Sequence, residues 1–158
     1  MKKRKIIKII VSVLIVIAVI SAIWLNSERP ELKLNEHDIP LSESFIVRKG
    51  KVPHQQGIHF LLPEYTSVRV EFDLGSNEGN IEKIILTRES DNKTVSVDIK
   101  PGETKATLEL GEVKKNVTWL ISVVCSEDAE AKVTYDVYAK EKWITAIKKY
   151  RSGNKHHL

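Results

Sequence analysis

Cysteine is nearly absent from this chain of 158 residues, since Cys125 is its only one. A single cysteine excludes any disulfide bond within the chain, so a folded region has to be stabilised by its apolar core. Exported domains without disulfides are more typical of bacteria, above all Gram-positive ones, than of eukaryotic secretion. A lone cysteine on an apolar strand face is usually a small core residue, and we interpret Cys125 in this way.

Residue patterns for catalysis are missing as well. No Gly-x-Ser-x-Gly nucleophile motif and no Asp-x-Asp-x-Asp spacing for calcium is present. Of the five histidines, only His54 and His59 fall in the region that we expect to fold, and no third metal ligand is evident beside them. We therefore predict a protein that is not an enzyme, with no catalytic residue, no metal ligand and no cofactor. The alternative is an envelope hydrolase or metal-dependent enzyme, whose site is built from loop carboxylates and these two histidines.

One long apolar run stands at the start of the chain. Residues 6–25 are apolar except for Lys8 and are preceded by further cations. At about 1.5 Å per helical residue, this segment spans roughly the 30 Å hydrocarbon core of a bilayer. Lys8 can extend its charge to one interface, and Trp24 is of the type that lies at the other. We predict a transmembrane anchor in contact with lipid over residues 6–25. A cleaved signal peptide is less favoured, because the run is long and lacks a small-x-small cleavage site.

The net charge of +4 hides three segments of different sign. Residues 1–8 carry a charge of +5, residues 26–139 carry −6 and residues 140–158 carry +5. Cations that precede an anchor hold that end in the cytoplasm, so the rest of the chain is expected outside the cell membrane in a single-pass arrangement. An acidic central region also excludes a nucleic-acid-binding domain, which would be basic on its folded face.

The middle of the chain alternates between apolar and polar residues. Residues 26–43 are polar with two prolines and are expected to form a stalk or linker. Within residues 44–139, the clearest run places apolar side chains at every second position from Val68 to Leu74, as in a half-buried strand. About eight such runs occur, separated by turn residues and without helices between them. They predict an all-β fold, an antiparallel β-sandwich of the jelly-roll or immunoglobulin-like type.

Three stretches carry a resemblance in strand pattern. Residues 60–70, 119–124 and 133–138 resemble strands of bacterial secreted jelly-roll modules, such as those appended to peptidases. This resemblance implies a fold and carries no functional residue.

In the last segment, residues 140–158, the apolar residues no longer recur at every second position. Apolar residues at helical spacing predict a short amphipathic helix over 140–151, followed by a frayed tail. This helix could bind an anionic membrane surface, or its apolar side could cover the sandwich. The second interpretation is favoured, because an anchored domain gains little from a second weak anchor. The residues of the candidate surface-binding helix are Trp143, Ile147, Lys148, Lys149 and Tyr150.

These observations together predict a membrane-anchored extracytoplasmic binding or accessory module of the cell envelope. Its partner would be a protein or a cell-wall polymer. Tyr65 and Tyr138 are the only candidates for an exposed aromatic platform that could bind sugar. A membrane-associated immunity or regulatory protein would show the same features and remains an alternative.

Overall fold

The computed structural model describes residues 2–34, 45–47, 56–60, 64–77, 81–114, 116–126 and 131–153. The chain divides into two compact units. The first unit combines the two ends of the chain, Met1–Arg29 and Lys142–Leu158. The second unit is the segment between them, Pro30–Glu141.

The first unit contains two helices, α1 (Lys2–Asn26) and α2 (Trp143–Gly153). Side chains close the C-terminal end of α1, where the last carbonyl groups lack a helical partner. The Asn26 amide donates a hydrogen bond to the Ala22 carbonyl at 2.9 Å, and the Ser27 hydroxyl donates one to the Trp24 carbonyl at 2.7 Å. Polar capping groups thus begin where the apolar run ends.

The second unit is made of strands. They are β1 (Leu32–Lys33), β2 (Phe45–Val47), β3 (Gln56–Phe60), β4 (Tyr65–Asp73), β5 (Ile81–Arg88), β6 (Thr94–Asp98), β7 (Lys105–Val113), β8 (Val117–Cys125) and β9 (Ala131–Lys140). One sheet has the order β1-β9-β4-β7, with β2 also paired to β9, and the other has the order β3-β8-β5-β6. Every pairing is antiparallel.

This strand order is that of a jelly roll. Between β2 and β9, consecutive strands alternate between the two sheets except at the β5–β6 hairpin, so that the first and last pair with each other. The predicted all-β antiparallel sandwich is therefore confirmed, and its type is the jelly roll. The eight strands expected from the sequence correspond to β2 to β9.

The alternation seen in the sequence directs every second side chain into the core. In β4, Val68, Val70 and Phe72 are buried, and in β7 Ala106 and Leu108 are buried. The opposite sheet contributes a second set, which includes Ile58, Ile84, Leu86, Trp119 and Ile121, all with 0% exposure. At about 25 cal/mol for each Å² of apolar surface removed from water, this shared core is the main source of the sandwich's stability.

Two details fix the loops and the edge of the sandwich. The buried side chain of Asn77 accepts a hydrogen bond from the Ile81 amide at 3.0 Å and donates one to the Glu103 carbonyl at 3.2 Å. It thereby joins the loops that precede β5 and β7. In β7, Gly111 has a φ of 69° at a register shift against β4, a bulge position that favours glycine.

The segment expected to be a linker contains a strand. Leu32 and Lys33 pair with Ala139 and Tyr138, and the Leu34 amide donates a hydrogen bond to the Val137 carbonyl at 2.8 Å. Leu34 is buried at 5% exposure within the core. Residues 32–34 thus belong to the sheet rather than to a stalk, because Leu32 and Leu34 reach the same apolar layer. Residues 35–44 of the expected linker lie outside the described residues.

Candidate functional site

The surface of α1 is apolar over most of its length. Within Lys5–Asn26, an 18-residue stretch has a mean hydropathy of 3.0, and none of that stretch is buried within the protein. By length and composition this helix could cross a membrane, a property that it shares with N-terminal signal sequences. Lys8, predicted at one interface, lies on α1 and is exposed, and Trp24, predicted at the other, is 50% exposed.

Trp24 contacts the first residue of the candidate surface-binding helix. Its ring stacks on that of Trp143, with 5.0 Å between centroids and an angle of 20° between planes. The Trp143 amide donates a hydrogen bond to the Ser27 carbonyl at 3.2 Å. The guanidinium of Arg29 lies over the Trp143 ring, 4.9 Å from its centroid, within range of a cation–π contact. We call Trp24, Ser27, Arg29 and Trp143 the tryptophan junction.

The remaining predicted residues of α2 are accessible to different degrees. Ile147 and Lys149 are half-buried, Lys148 is exposed, and Tyr150 has 73% of its surface exposed. Burial, and then the positive charge of Arg29, lower the pKa of Lys149. The fold therefore holds a lysine and an arginine near each other beside the tryptophan junction.

The outer surface of the five-stranded sheet is the second candidate. It carries the polar side chains that alternate with the core residues of β1, β4, β7 and β9, and we call it the outer sheet surface. Its charged or aromatic members are Lys33, Arg69, Glu71, Asp73, Lys105, Glu109, Asp136 and Tyr138. Side chains of both signs lie on it, so it offers both hydrogen-bond donors and hydrogen-bond acceptors.

Arg69 is at the centre of the outer sheet surface. Its guanidinium binds both carboxylate oxygens of Glu31, at 3.4 and 2.7 Å, and also forms an ion pair with Glu71. The same group lies 4.6 Å from the centroid of the Tyr138 ring. The hydrogen bond from Arg69 lowers the pKa of Glu31, and the hydrogen bond to Glu31 raises the pKa of Arg69. Both charges are thereby held in fixed positions.

A shallow depression of about 200 Å³ lies in the same sheet and is lined by Glu71, the ion-pair partner of Arg69. Glu71, Asp73, Lys105, Thr134 and Asp136 are among its lining residues. Glu71 and Asp136 are directly opposite in the register, a placement that is unfavourable for two negative charges. Lys33 offsets it through an ion pair with Asp136 at 2.7 Å, which also raises the pKa of the lysine.

The predicted aromatic platform for sugar is wrong in the case of Tyr65. Tyr65 is only 1% exposed and belongs to the core, and its burial, with a smaller effect of Glu141, raises its pKa above the ordinary value. The cause is a register shift between Tyr65 and Val68, which turns the tyrosine inward against the alternation of β4. Tyr138 does lie on the outer sheet surface, but Arg69 covers one face of its ring.

The residues of the alternative enzyme site are described only in part. His54 lies outside the described residues, and His59 is described by its backbone, which pairs with Thr118. Of the carboxylates at strand ends, Asp73 accepts a hydrogen bond from the Gly75 amide at 2.9 Å and so fixes its own turn. Within the described ranges, no three His, Cys, Asp or Glu side chains converge as metal ligands would. Cys125 is half-buried and packs against the core.

Sequence reasoning missed Arg29, Glu31 and Arg69. In the sequence, Arg69 is one of several polar residues in an alternating strand. Glu31 is 38 residues away in a segment with the composition of a linker, so nothing local indicates that the two side chains meet. Arg29 follows the apolar run closely, so a cation near an interfacial tryptophan was a signal that could have been used.

Comparisons with known proteins bear on the fold. No model of a known protein family matches the chain, and no curated protein matches it. Among solved structures, it is similar to the cowpea mosaic virus top component, a naturally occurring empty particle, at 9% identity and a TM-score of 0.50. That match covers 73% of this chain and 45% of the viral chain, so this chain spans less than half of the length of the one it matches.

Two further similarities are to carbohydrate-binding modules. One is a family 35 module from Clostridium thermocellum, at 11% identity and a TM-score of 0.42, covering 70% of this chain and 98% of that one. The other is the CBM36-1 domain of a xylanase from the hindgut metagenome of Trinervitermes trinervoides, at 11% identity and a TM-score of 0.42, covering 68% and 95%. Similarity at this level shows the fold alone. The class that fold and sequence define is a jelly-roll β-sandwich preceded by an apolar N-terminal helix.

Proposed function

We propose that this protein is a membrane-anchored jelly-roll module that acts by binding a partner in the cell envelope, without catalysis. In this proposal α1 is an uncleaved anchor, its N-terminus is cytoplasmic and the sandwich is extracytoplasmic. The partner class is a protein or a cell-wall polymer.

The exposure of α1 carries the anchor proposal. The four consecutive residues Leu14, Ile15, Val16 and Ile17, which point to different sides of the helix, are each between 54% and 59% exposed. A soluble protein rarely exposes a contiguous apolar patch of more than a few hundred Å², and this helix presents apolar side chains all around. A bilayer offers such a helix an apolar environment, and the helix in turn meets the bilayer's requirement that every backbone polar group be paired internally.

The outer sheet surface supports the binding part. Its ion pairs hold Arg69, Glu71 and Asp136 in place before any partner arrives, so little side-chain entropy remains to be lost on binding. Fixed charges of both signs suit a polar partner that is recognised through hydrogen bonds. The shallow depression lined by Glu71 and Asp136 has a volume of about 200 Å³, which suits a side chain or a single sugar ring.

Topology and cleavage can be tested together. Cys125→Ala gives a background without cysteine, into which Lys3→Cys or Ser90→Cys is introduced, the latter in an exposed turn. A maleimide that cannot cross membranes should label Ser90→Cys in intact cells and should leave Lys3→Cys unlabelled until the cells are lysed. The intact mass should correspond to the full chain. A mature mass that lacks the first 20 or so residues, as a signal peptide would, or labelling of Lys3→Cys in intact cells, would refute the anchor.

Binding through the outer sheet surface is tested by capture. The full chain in detergent should retain an envelope protein or cell-wall fragment that Arg69→Ala loses, whereas Arg88→Ala, on the opposite sheet, should retain it. Equal capture by the two variants would contradict binding at this surface. So would the absence of capture by the wild type.

A further inference from the structure

We propose that α2 and Arg29 form a binding site for anionic phospholipid headgroups of the membrane that α1 spans. This inference rests on the proposed function, because it requires α1 to be an anchor. It adds a second, charge-dependent contact with the same bilayer and names its ligand.

The tryptophan junction fixes where α2 begins. Trp24 is two residues from the end of α1, at the position where an interfacial anchor is expected. Because the Trp143 ring stacks on Trp24 and the Trp143 amide binds Ser27, the first residue of α2 lies at the same depth. Both rings would then lie at the level of the headgroups, where tryptophan is favoured.

The cations of α2 lie within reach of that level whichever way the helix points. Lys148 and Lys149 follow Trp143 by less than two turns, which places them within about 9 Å along the helix axis. That distance is close to the Debye length of about 8 Å at physiological ionic strength. Lys142 is closer still, since it forms a β-bridge with Glu28 just beyond α1.

The charge around the junction is strongly positive. Arg29, Lys142, Lys148 and Lys149 contribute four cations, and Glu28 is the one acidic residue in the described part of this unit. After burial, the positive charge of Arg29 is the second cause of the lowered pKa of Lys149, so the two cations lie near each other. A leaflet with anionic lipids presents many phosphate groups that attract such cations.

The apolar side of α2 fits the same surface. Trp143, Ile147 and Tyr150 recur at intervals of three and four residues, and no residue from 143 to 150 is buried. An amphipathic helix with aromatic residues on one side and lysines on the other is the type that lies in a membrane interface. An anionic bilayer is therefore favoured over a soluble polyanion, which would use only the charges.

The test uses the full chain in nanodiscs of phosphatidylcholine alone or of phosphatidylcholine mixed with phosphatidylglycerol. Hydrogen–deuterium exchange of the α2 amides is the readout. Anionic lipid should slow their exchange and leave the sandwich strands unchanged. The triple variant Lys142→Gln, Lys148→Gln and Lys149→Gln should lose this protection. Each cation near an anionic surface contributes about fivefold, so the docking equilibrium should fall by on the order of 100-fold.

A matched control removes the same charge elsewhere. Lys93, Lys100 and Lys114 are exposed on the sandwich, and their replacement by Gln should leave the protection of α2 as in the wild type. Equal loss in both triple variants would show a dependence on net charge alone and would overturn the site. Protection by inorganic phosphate in neutral nanodiscs, equal to that by anionic lipid, would overturn the membrane as its ligand.

Failure of the inference and failure of the proposed function give different results. If the chain enters nanodiscs at full mass and α2 exchanges equally fast with either lipid, the headgroup site is refuted and the anchor stands. If α1 is cleaved or the chain does not enter nanodiscs, the anchor is refuted and the headgroup site with it.

Discussion

Leu34 offers a sharp test of the fold, because it lies in a segment that its composition describes as a linker. The side chain is 5% exposed in the core, and its amide donates to the Val137 carbonyl at 2.8 Å. Leu34→Ala retains that hydrogen bond and removes only the buried side chain. Buried Leu→Ala changes cost 2–5 kcal/mol, and an edge strand of two residues can partly close the cavity. We therefore expect a loss of about 2–3 kcal/mol in the free energy of unfolding.

The measurement is thermal and urea unfolding of the full chain in detergent, followed by near-UV circular dichroism. For a domain of this size the loss corresponds to a fall of roughly 10–20 °C in Tm. The control is Lys33→Ala, which changes an exposed neighbour in the same strand and should have a much smaller effect. A loss for Leu34→Ala of less than about 0.5 kcal/mol, the range of ordinary surface changes, would show that this segment does not pack in the core.

Three further predictions concern single positions. Gly111→Ala should cost about 1–2 kcal/mol, since its Cβ would meet no atom within 4 Å and only the positive φ is unfavourable; Gly111→Asn should cost less in the same unfolding assay. The hydrogen bond from Arg88 lowers the pKa of Asp91 to about 2, so the pair stabilises the folded state above pH 4 and this stabilisation is lost as the pH falls through 2. The Tm of Asp91→Asn should accordingly lie below that of the wild type at neutral pH and converge with it near pH 2; a constant difference would contradict the pairing. Trp143→Ser should leave the unfolding of the sandwich within about 0.5 kcal/mol of the wild type, and a larger loss would favour α2 as a cover of the sandwich over α2 as a membrane contact.

The strands could be predicted because their signal is local. In β4, Val68, Val70 and Phe72 alternate with polar residues. A period of two identifies a half-buried strand even when the strands that pair with it are unknown. The jelly-roll order could not be predicted in the same way. Alternation states which face a residue takes, whereas the pairing of β2 with β9 joins strands from opposite ends of the fold.

The exceptions arise where a local pattern is too short or is interrupted. The two residues of β1 do not establish a period, and the nearby prolines indicate a linker. The alternation of β4 would place Tyr65 on the polar face of the strand, yet the bulge before Val68 turns its side chain into the core. Trp24 was predicted to lie at a membrane interface and Trp143 to belong to a candidate surface-binding helix, but the contact between their two rings could not be predicted from the local sequence around either one. Composition can assign a residue to an environment without identifying its neighbour.

The pairing of β1 with β9 also determines how the jelly roll is joined to the rest of the chain. Leu32 lies opposite Ala139, so the chain enters and leaves the sandwich through adjacent antiparallel strands, about 5 Å apart. The sandwich is in this sense an insertion between two helices that belong to one unit. A domain whose ends lie side by side can be exchanged for another of the same kind without disturbing its host. Evolution could vary the jelly-roll module while keeping the same pair of helices, and a designer could replace it with a short turn to obtain the helical unit alone.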